Sequence, residues 1–243
     1  MERGKLIVIE GTDCSGKETQ SNLLKEKLEK DGMQVHKSAF PRYDTPTGHI
    51  IGSCILGKPH MGPCIFEEGT THIPSKVASL YYAADRLYNI NEINTMLDNG
   101  INVILDRYIE SNMGHQAAKL STDEEKIELM EWLEKLEFDL LELPKPDIVL
   151  FLYMPYQYAV ELRNKRLELP DGAEQDVEHL KNAEKTYLLM AEKYNYNIVN
   201  CIENNRIRTI EEIHNDVYNV VKKTITTKNK DKILKPNDKP REI

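Results

Sequence analysis

The chain has 243 residues, 40% apolar and 30% charged, a length and balance that suit one globular domain. No apolar run approaches the roughly eighteen residues of a membrane span. A net charge of −8 excludes broad nucleic-acid binding, since a phosphate backbone would be repelled by most of such a surface, whereas a small anion needs only a local positive site.

The first predicted element is a strand, the apolar run Leu6-Ile7-Val8-Ile9 leading to Glu10. Directly after it, Glu10 to Thr19 read Glu-Gly-Thr-Asp-Cys-Ser-Gly-Lys-Glu-Thr, and Gln20 to Lys30 carry a helix pattern. Gly11 and Gly16 bound a loop whose backbone N–H groups can turn inward around an anion, and the helix start behind Lys17 adds the positive end of its dipole. Gly11, Asp13, Cys14, Ser15, Gly16, Lys17, Glu18 and Thr19 are therefore expected to hold phosphate. Glu18 stands where the usual pattern has a Ser or Thr hydroxyl for magnesium, and Thr19 comes one place late.

Further strands are expected at Gln34 to Phe40, Asn102 to Asp106, Asp147 to Tyr153 and Tyr196 to Ile202, with helix-patterned segments between them. This alternation predicts an α/β fold: a doubly wound, five-stranded parallel sheet with helices on both faces, of the P-loop nucleotide-binding class, with its ligand at the carboxyl ends of the strands. After the second strand, Phe40-Pro41-Arg42-Tyr43 forms a rigid turn presenting an aromatic and a cation. A helix from about Ser75 to Leu97 places Tyr82 and Arg86 on one face, where they either stack on a base and bond its edge or simply pack. After the third strand come Asp106-Arg107-Tyr108, Ser111-Asn112 and His115-Gln116. Asp106 is placed to serve magnesium or its waters, because hard cations take oxygen ligands.

Arg163-Asn164-Lys165-Arg166, running into Leu169-Pro170-Asp171-Gly172, reads as a lid near residues 163–176 or as a solvated basic helix face. The helix pattern ends near Val221. Residues 224–243, with six Lys or Arg against three Asp or Glu, read as a basic tail outside a domain of residues 1–223. Cys14, Cys54, Cys64 and Cys201 show no paired spacing and no secretion signal is evident, so a reduced, cytoplasmic setting is expected. His49, His60 and His72 near Cys54 and Cys64 follow no zinc spacing, and no zinc is assigned.

In order and spacing these clusters resemble the thymidylate kinase family: Ile-Glu-Gly-Thr-Asp at the loop, Phe-Pro-Arg-Tyr after strand two, Ala-Asp-Arg on the long helix, and Asp-Arg-Tyr after strand three, covering roughly residues 5–220. The resemblance implies transfer of the terminal phosphate of ATP to dTMP, giving dTDP and ADP, with Mg2+ and a homodimeric assembly. It implies that Lys17 bridges toward the moving phosphate, that Asp106, with Glu10, serves the metal, and that Asp13 meets the sugar 3′-hydroxyl. Arg107 would clamp the acceptor phosphate, helped by Tyr43. Phe40 would wall the pocket, Tyr82 stack on thymine, Arg86 donate to its exocyclic oxygen and Asn112 pair with the ring edge, with His115 and Gln116 beside them. Cys14 stands where some members carry an arginine, which shifts weight to Arg163 or Arg166 on the lid. His115 stands where members commonly have tyrosine near the 2′ carbon, which bears on rejection of ribose. Two other readings remain: a different P-loop nucleotide or nucleoside kinase, and a catalytically inactive nucleotide-binding regulator, the latter suggested by Glu18.

Overall fold

The computed structural model describes residues 2–163 and 171–231. Five strands form one parallel sheet: β1 (Leu6–Gly11), β2 (Val35–Ala39), β3 (Asn102–Asp106), β4 (Ile148–Tyr153) and β5 (Asn197–Asn200), in the order β2-β3-β1-β4-β5. From β1 the chain runs first to the edge strand β2, returns to β3 beside β1, and then crosses to β4 and β5 on the other side, so the loop after β1 opens at the point where the strand order reverses, where α/β sheets hold their ligands.

Both faces of the sheet are covered, which is why β1 is apolar at consecutive positions rather than alternating. Leu6 and Val8 point into one core layer with helices α3 (Ser75–Asp98), α4 (Ile109–Ala117), α5 (Asp123–Glu134) and α7 (Val177–Lys193). Ile7 and Ile9 point into the other, with α1 (Lys17–Lys30), α6 (Tyr156–Arg163) and α8 (Ile210–Asp231). The half-exposed β2 carries Lys37, a charge that discourages further strand pairing at this edge. A short helix, α2 (Pro46–Ile50), continues as a π-helical turn to Ile55, and a second π-helical turn, Lys135–Leu140, follows α5.

Two expected boundaries move. The last predicted strand, Tyr196 to Ile202, is split: β5 stops at Asn200, and Ile202–Glu203 (β6) pairs antiparallel with Arg206–Ile207 (β7) across Asn204 and Asn205, both at positive φ. Asparagine tolerates that conformation, so the pair makes a tight hairpin turn. The final helix does not end near Val221 but runs on to Asp231, because Ile213, Val217, Val221 and Ile225, spaced by four, continue one stripe against the core. The expected tail at 224–243 thus begins as helix, and its remainder lies outside the described residues.

Candidate active site

The loop after β1 folds as its glycines demand. A Cβ on Gly11 would collide with the Ser15 side chain and the Leu152 backbone, and Gly16 takes φ +81° immediately before α1 begins at Lys17. Thr12 fastens the loop to the end of β4, donating from Oγ1 to Met154 O at 2.7 Å and accepting from Met154 N at 2.9 Å. Lys17 is buried, with Nζ donating to the Gly11 and Thr12 carbonyls at 2.9 Å. Burial first, and the nearby Arg107 second, push its ammonium down to about 8. Glu18 and Thr19 are exposed on the first turn of α1, Glu18 at the edge of the main cleft.

Register brings the third strand's motif to this loop. Ile9 pairs with Asp106, and Arg107 donates its backbone N–H to Ile9 O at 3.1 Å. Arg107 adopts φ +69°, a left-handed conformation that costs a non-glycine residue energy and turns the guanidinium across the strand ends. There it donates to Ser111 Oγ at 3.3 Å and lies 3.8 Å from Asp13 Oδ1. Burial opposes its charge, but Tyr187 and the carboxylates Glu10, Asp13 and Asp106 outweigh that and keep it protonated. Glu10 departs from the metal expectation. It is fully buried and outside the cleft lining, accepting from Tyr108 N (3.0 Å), Ser111 Oγ (2.7 Å) and Tyr187 Oη (3.3 Å). These donors make it the anchor of the segment carrying Arg107, and Asp106 is left as the strand-end carboxylate facing the cleft.

The cleft has a volume of about 370 Å³ and runs from Asp13, Asp106 and Arg107 to Tyr82, Arg86, Asn112 and Gln116. Phe40 and Tyr43 line it, next to a cis Phe40–Pro41 peptide. Arg42 does not; its guanidinium turns outward to Glu92 at 3.1 Å and Asp44 at 3.4 Å. The turn is held by Asp85, 1% exposed, which accepts from Arg42 N (2.9 Å), Thr47 Oγ1 (2.7 Å) and Asn89 Nδ2 (3.0 Å). Tyr82 and Arg86 do share a face toward the cleft, and burial pushes the Tyr82 phenol up, keeping it neutral. Arg86 is bound through Nε and Nη2 to Glu137. Asn112 and Gln116 each carry a buried side-chain oxygen with no partner among the described residues.

His115 faces His179 of α7, with Nδ1 3.4 Å from Nε2 and the rings stacked at 5.6 Å. Burial is the main cause that depresses both imidazoles, His115 to about 3, so both are neutral near pH 7. Lys119 closes this wall, donating to Thr70 O and Ile73 O, its ammonium lowered by burial to about 8.

At the start of the expected lid, Arg163 donates to Glu174 O at 2.8 Å and lines a small cavity with Asp13 and Cys14. Asp171, beyond it, lies 3.7 Å from Lys58 at the cleft mouth. Arg166 lies outside the described residues.

Sequence reasoning missed Glu137, Tyr187 and His179, and it named Asp85 only within the Ala-Asp-Arg motif, without a role. Glu137 did leave a signal, since it falls on the buried face of a helical stretch that includes Leu129, Met130 and Leu133. A carboxylate in an apolar stripe needs a partner.

A glycine-bounded loop at the switch point, a lysine on the first helical turn, and a strand-end Asp-Arg pair facing an enclosed cleft together define a P-loop phosphotransferase. A family model described as thymidylate kinase matches residues 9–217. The thymidylate kinase of Plasmodium falciparum is 32% identical over 223 residues, covering 91% of each chain, and that of Danio rerio is 29% identical over 227 residues, covering 92% of each. A solved structure of thymidylate kinase from Candida albicans, described as revealing the origin of broad substrate specificity, matches with a TM-score of 0.70 at 26% identity, covering 92% of this chain and 93% of that one. The chain belongs to the thymidylate kinase family, ATP-dependent phosphotransferases that convert dTMP to dTDP.

Proposed function

We propose that the cleft holds dTMP with its phosphate on Arg107 and its base between Tyr82, Arg86 and Asn112, while the loop at 11–19 holds ATP. The carrying observation is that one cleft of about 370 Å³ is lined both by Arg107 and Asp106 and by Tyr82, Arg86 and Asn112, so that groups for a phosphate and groups for a base share one enclosed space. A planar guanidinium can take two phosphate oxygens at once, and Arg107 is fixed for that by Ser111 and Asp13. Lys17, released from the Gly11 and Thr12 carbonyls, would follow the moving phosphoryl group. Phosphoryl transfer asks for alignment and charge neutralisation more than covalent help, and these cations supply both.

The residues fit a magnesium ion. Asp106 and Asp13 are carboxylates in the cleft, and Mg2+ bound to nucleotide phosphates takes only one or two protein carboxylates, the rest of its shell being phosphate oxygen and water. Asp106 would hold it, and the ion would neutralise charge on the transferring phosphates. Exposed Glu18 has room to turn away from them or to meet the metal through water. Arg163, beside Cys14 and Asp13, would supply the transition-state cation that the loop lacks, with Arg166 as its companion on the lid. Arg163→Ala and Arg166→Ala should each lower kcat by about tenfold or more, and full turnover by both would remove this role.

A homodimer is supported by α3, whose Val77, Leu80, Tyr81, Leu87 and Tyr88 form an exposed apolar face. Light scattering at micromolar concentration tests it, a monomer being the refuting result. No helix among the described residues is long and apolar enough to cross a membrane; a cytoplasmic location is the proposal that accompanies this reading.

The deciding experiment measures ADP formed from MgATP with dTMP, dUMP, UMP, dGMP, dCMP and thymidine. Preference for dTMP, with some dUMP turnover because a methyl group offers only about 1–3 kcal/mol of discrimination, is the expected result. Preference for thymidine would move the chain to the nucleoside kinases. ATP binding without turnover on any acceptor would favour an inactive regulator.

A further inference from the structure

At the base-reading end of the cleft sits a carboxylate that the roles above leave unused. Glu137, on the π-helical turn after α5, is fully buried. It accepts from Arg86 through Nε and, at 2.6 Å, Nη2, and from Asn112 Nδ2 at 3.2 Å. Arg86 belongs to α3 and Asn112 to α4, and among the described residues Glu137 is the one group hydrogen-bonded to both side chains.

The donor inventory gives this arrangement a polarity. A guanidinium has five N–H groups and no acceptor. Two of those on Arg86 go to Glu137 and one to Tyr108 O at 3.4 Å, which leaves two for the cleft that Arg86 lines. The Asn112 amide has two N–H groups, and both are committed inward, to Ser79 O and to Glu137, each at 3.2 Å. Its Oδ1 is buried without a partner among the described residues, and Asn112 also lines the cleft. The reversed amide would set its carbonyl against two acceptors, so the orientation is fixed. An amide lacking these partners offers either a donor or an acceptor on demand.

We propose that Glu137 is a positioning residue that sets base selectivity: by holding Arg86 as a donor and Asn112 as an acceptor, it presents the complement of a pyrimidine with a 4-carbonyl and an N3–H. A 4-amino pyrimidine, with a bare N3, meets donor against donor and acceptor against lone pair. Leaving buried polar groups mispaired in this way is what gives a hydrogen-bonding site strong discrimination. The proposal rests on the placement of the nucleobase at this end of the cleft.

The test is the ratio of kcat/KM for dTMP to that for dCMP in the full-length wild type, Glu137→Gln and Glu137→Asp. A glutamine amide must turn its N–H groups either toward Arg86 Nε or toward the position shared by Arg86 Nη2 and Asn112, and in either orientation it sets donor against donor at Arg86, while in the second it also favours the reversed Asn112 amide. Glu137→Gln should lower the ratio by about tenfold or more, with KM for dTMP rising more than kcat falls and KM for ATP within about twofold of wild type. Glu137→Asp keeps the negative charge near Arg86 but draws back the oxygen that Asn112 Nδ2 and Arg86 Nη2 share, and should lower the ratio by about threefold; it is the variant to read if Glu137→Gln does not fold. A ratio within about twofold of wild type in every folded variant, whatever the loss of overall rate, overturns the proposal alone. A wild type that takes dCMP as readily as dTMP overturns the base assignment and this proposal together.

Discussion

Removing the Asp85 carboxylate should cost stability and acceptor affinity together. In Asp85→Ala four donors lose an acceptor: Arg42 N, Thr47 Oγ1, Asn89 Nδ2 and, at 3.5 Å, Thr45 Oγ1, which keeps its bond to Arg42 O. They are not equal losses. Asn89 Nδ2 keeps its bond to the Asp85 carbonyl at 2.8 Å, and half-exposed Thr47 can turn to water, whereas the Arg42 N–H has no second acceptor among the described residues. At about 1–3 kcal/mol for the orphaned buried donor and less for the others, the sum is about 2–4 kcal/mol, or a fall in Tm of about 5–15 °C for a chain of this size. Asp85→Asn keeps one acceptor oxygen and should lose about half as much. Because the same bonds hold the turn bearing Phe40 and Tyr43, KM for dTMP should rise about tenfold while KM for ATP, bound by the loop after β1, stays put. Thermal melting and steady-state kinetics on each substrate read both effects. A Tm within about 2 °C of wild type together with an unchanged KM for dTMP would refute the reasoning, since the donors would then have found other partners.

With Lys17 lowered to about 8, affinity for an ATP analogue should fall as pH rises through 8, because the triphosphate needs the protonated ammonium; calorimetry from pH 7 to 9.5 should show this, and Lys17→Met should abolish it. Glu110, 3% exposed and with Oε2 unpartnered among the described residues, is raised by burial and by Glu10 to about 8. The fold therefore keeps a proton that the unfolded chain releases above about 4.5, stability falls between those values, and Glu110→Gln should be more stable than wild type by about 1–3 kcal/mol in urea titrations at pH 8 but not at pH 4.5. His115 works in the opposite sense: the unfolded chain binds a proton near 6.5 that the fold refuses down to about 3, so stability is lost as pH falls through that window, and His115→Phe should flatten the loss when melting is followed from pH 7 to 4.

What was legible in the sequence was whatever local backbone chemistry dictates. Gly11, Gly16 and Lys17 declare an anion loop because no side chain fits the one position, a left-handed turn is needed at the next, and a helix must start behind them. Asp106 and Arg107 were legible as charge at the end of an apolar strand, and the parallel pairing of β3 with β1 carries them to that loop. The turn at Phe40 was legible too, but the destination of Arg42 was not: nothing local distinguishes a guanidinium facing the cleft from one drawn outward to Glu92 and Asp44. Glu10 went the other way: the family resemblance implied a role beside the metal, while its hydrogen-bond partners come from 98 to 177 positions away.

The roles that escaped share a physical reason. Asp85, Glu137, His179 and Tyr187 act through side chains far away in sequence, and a helix pattern records only that such a position is buried, not what it meets. Both carboxylates do the same kind of work from behind the lining of the cleft. Asp85 fixes the backbone turn that carries Phe40 and Tyr43, and Glu137 fixes the position of Arg86 and the polarity of Asn112. A cleft residue whose hydrogen-bonding groups were all free would rotate to suit any ligand. Selectivity here thus depends on how many donors and acceptors are consumed behind the surface, because each inward bond removes one of the ways in which the cleft could adapt to the wrong base.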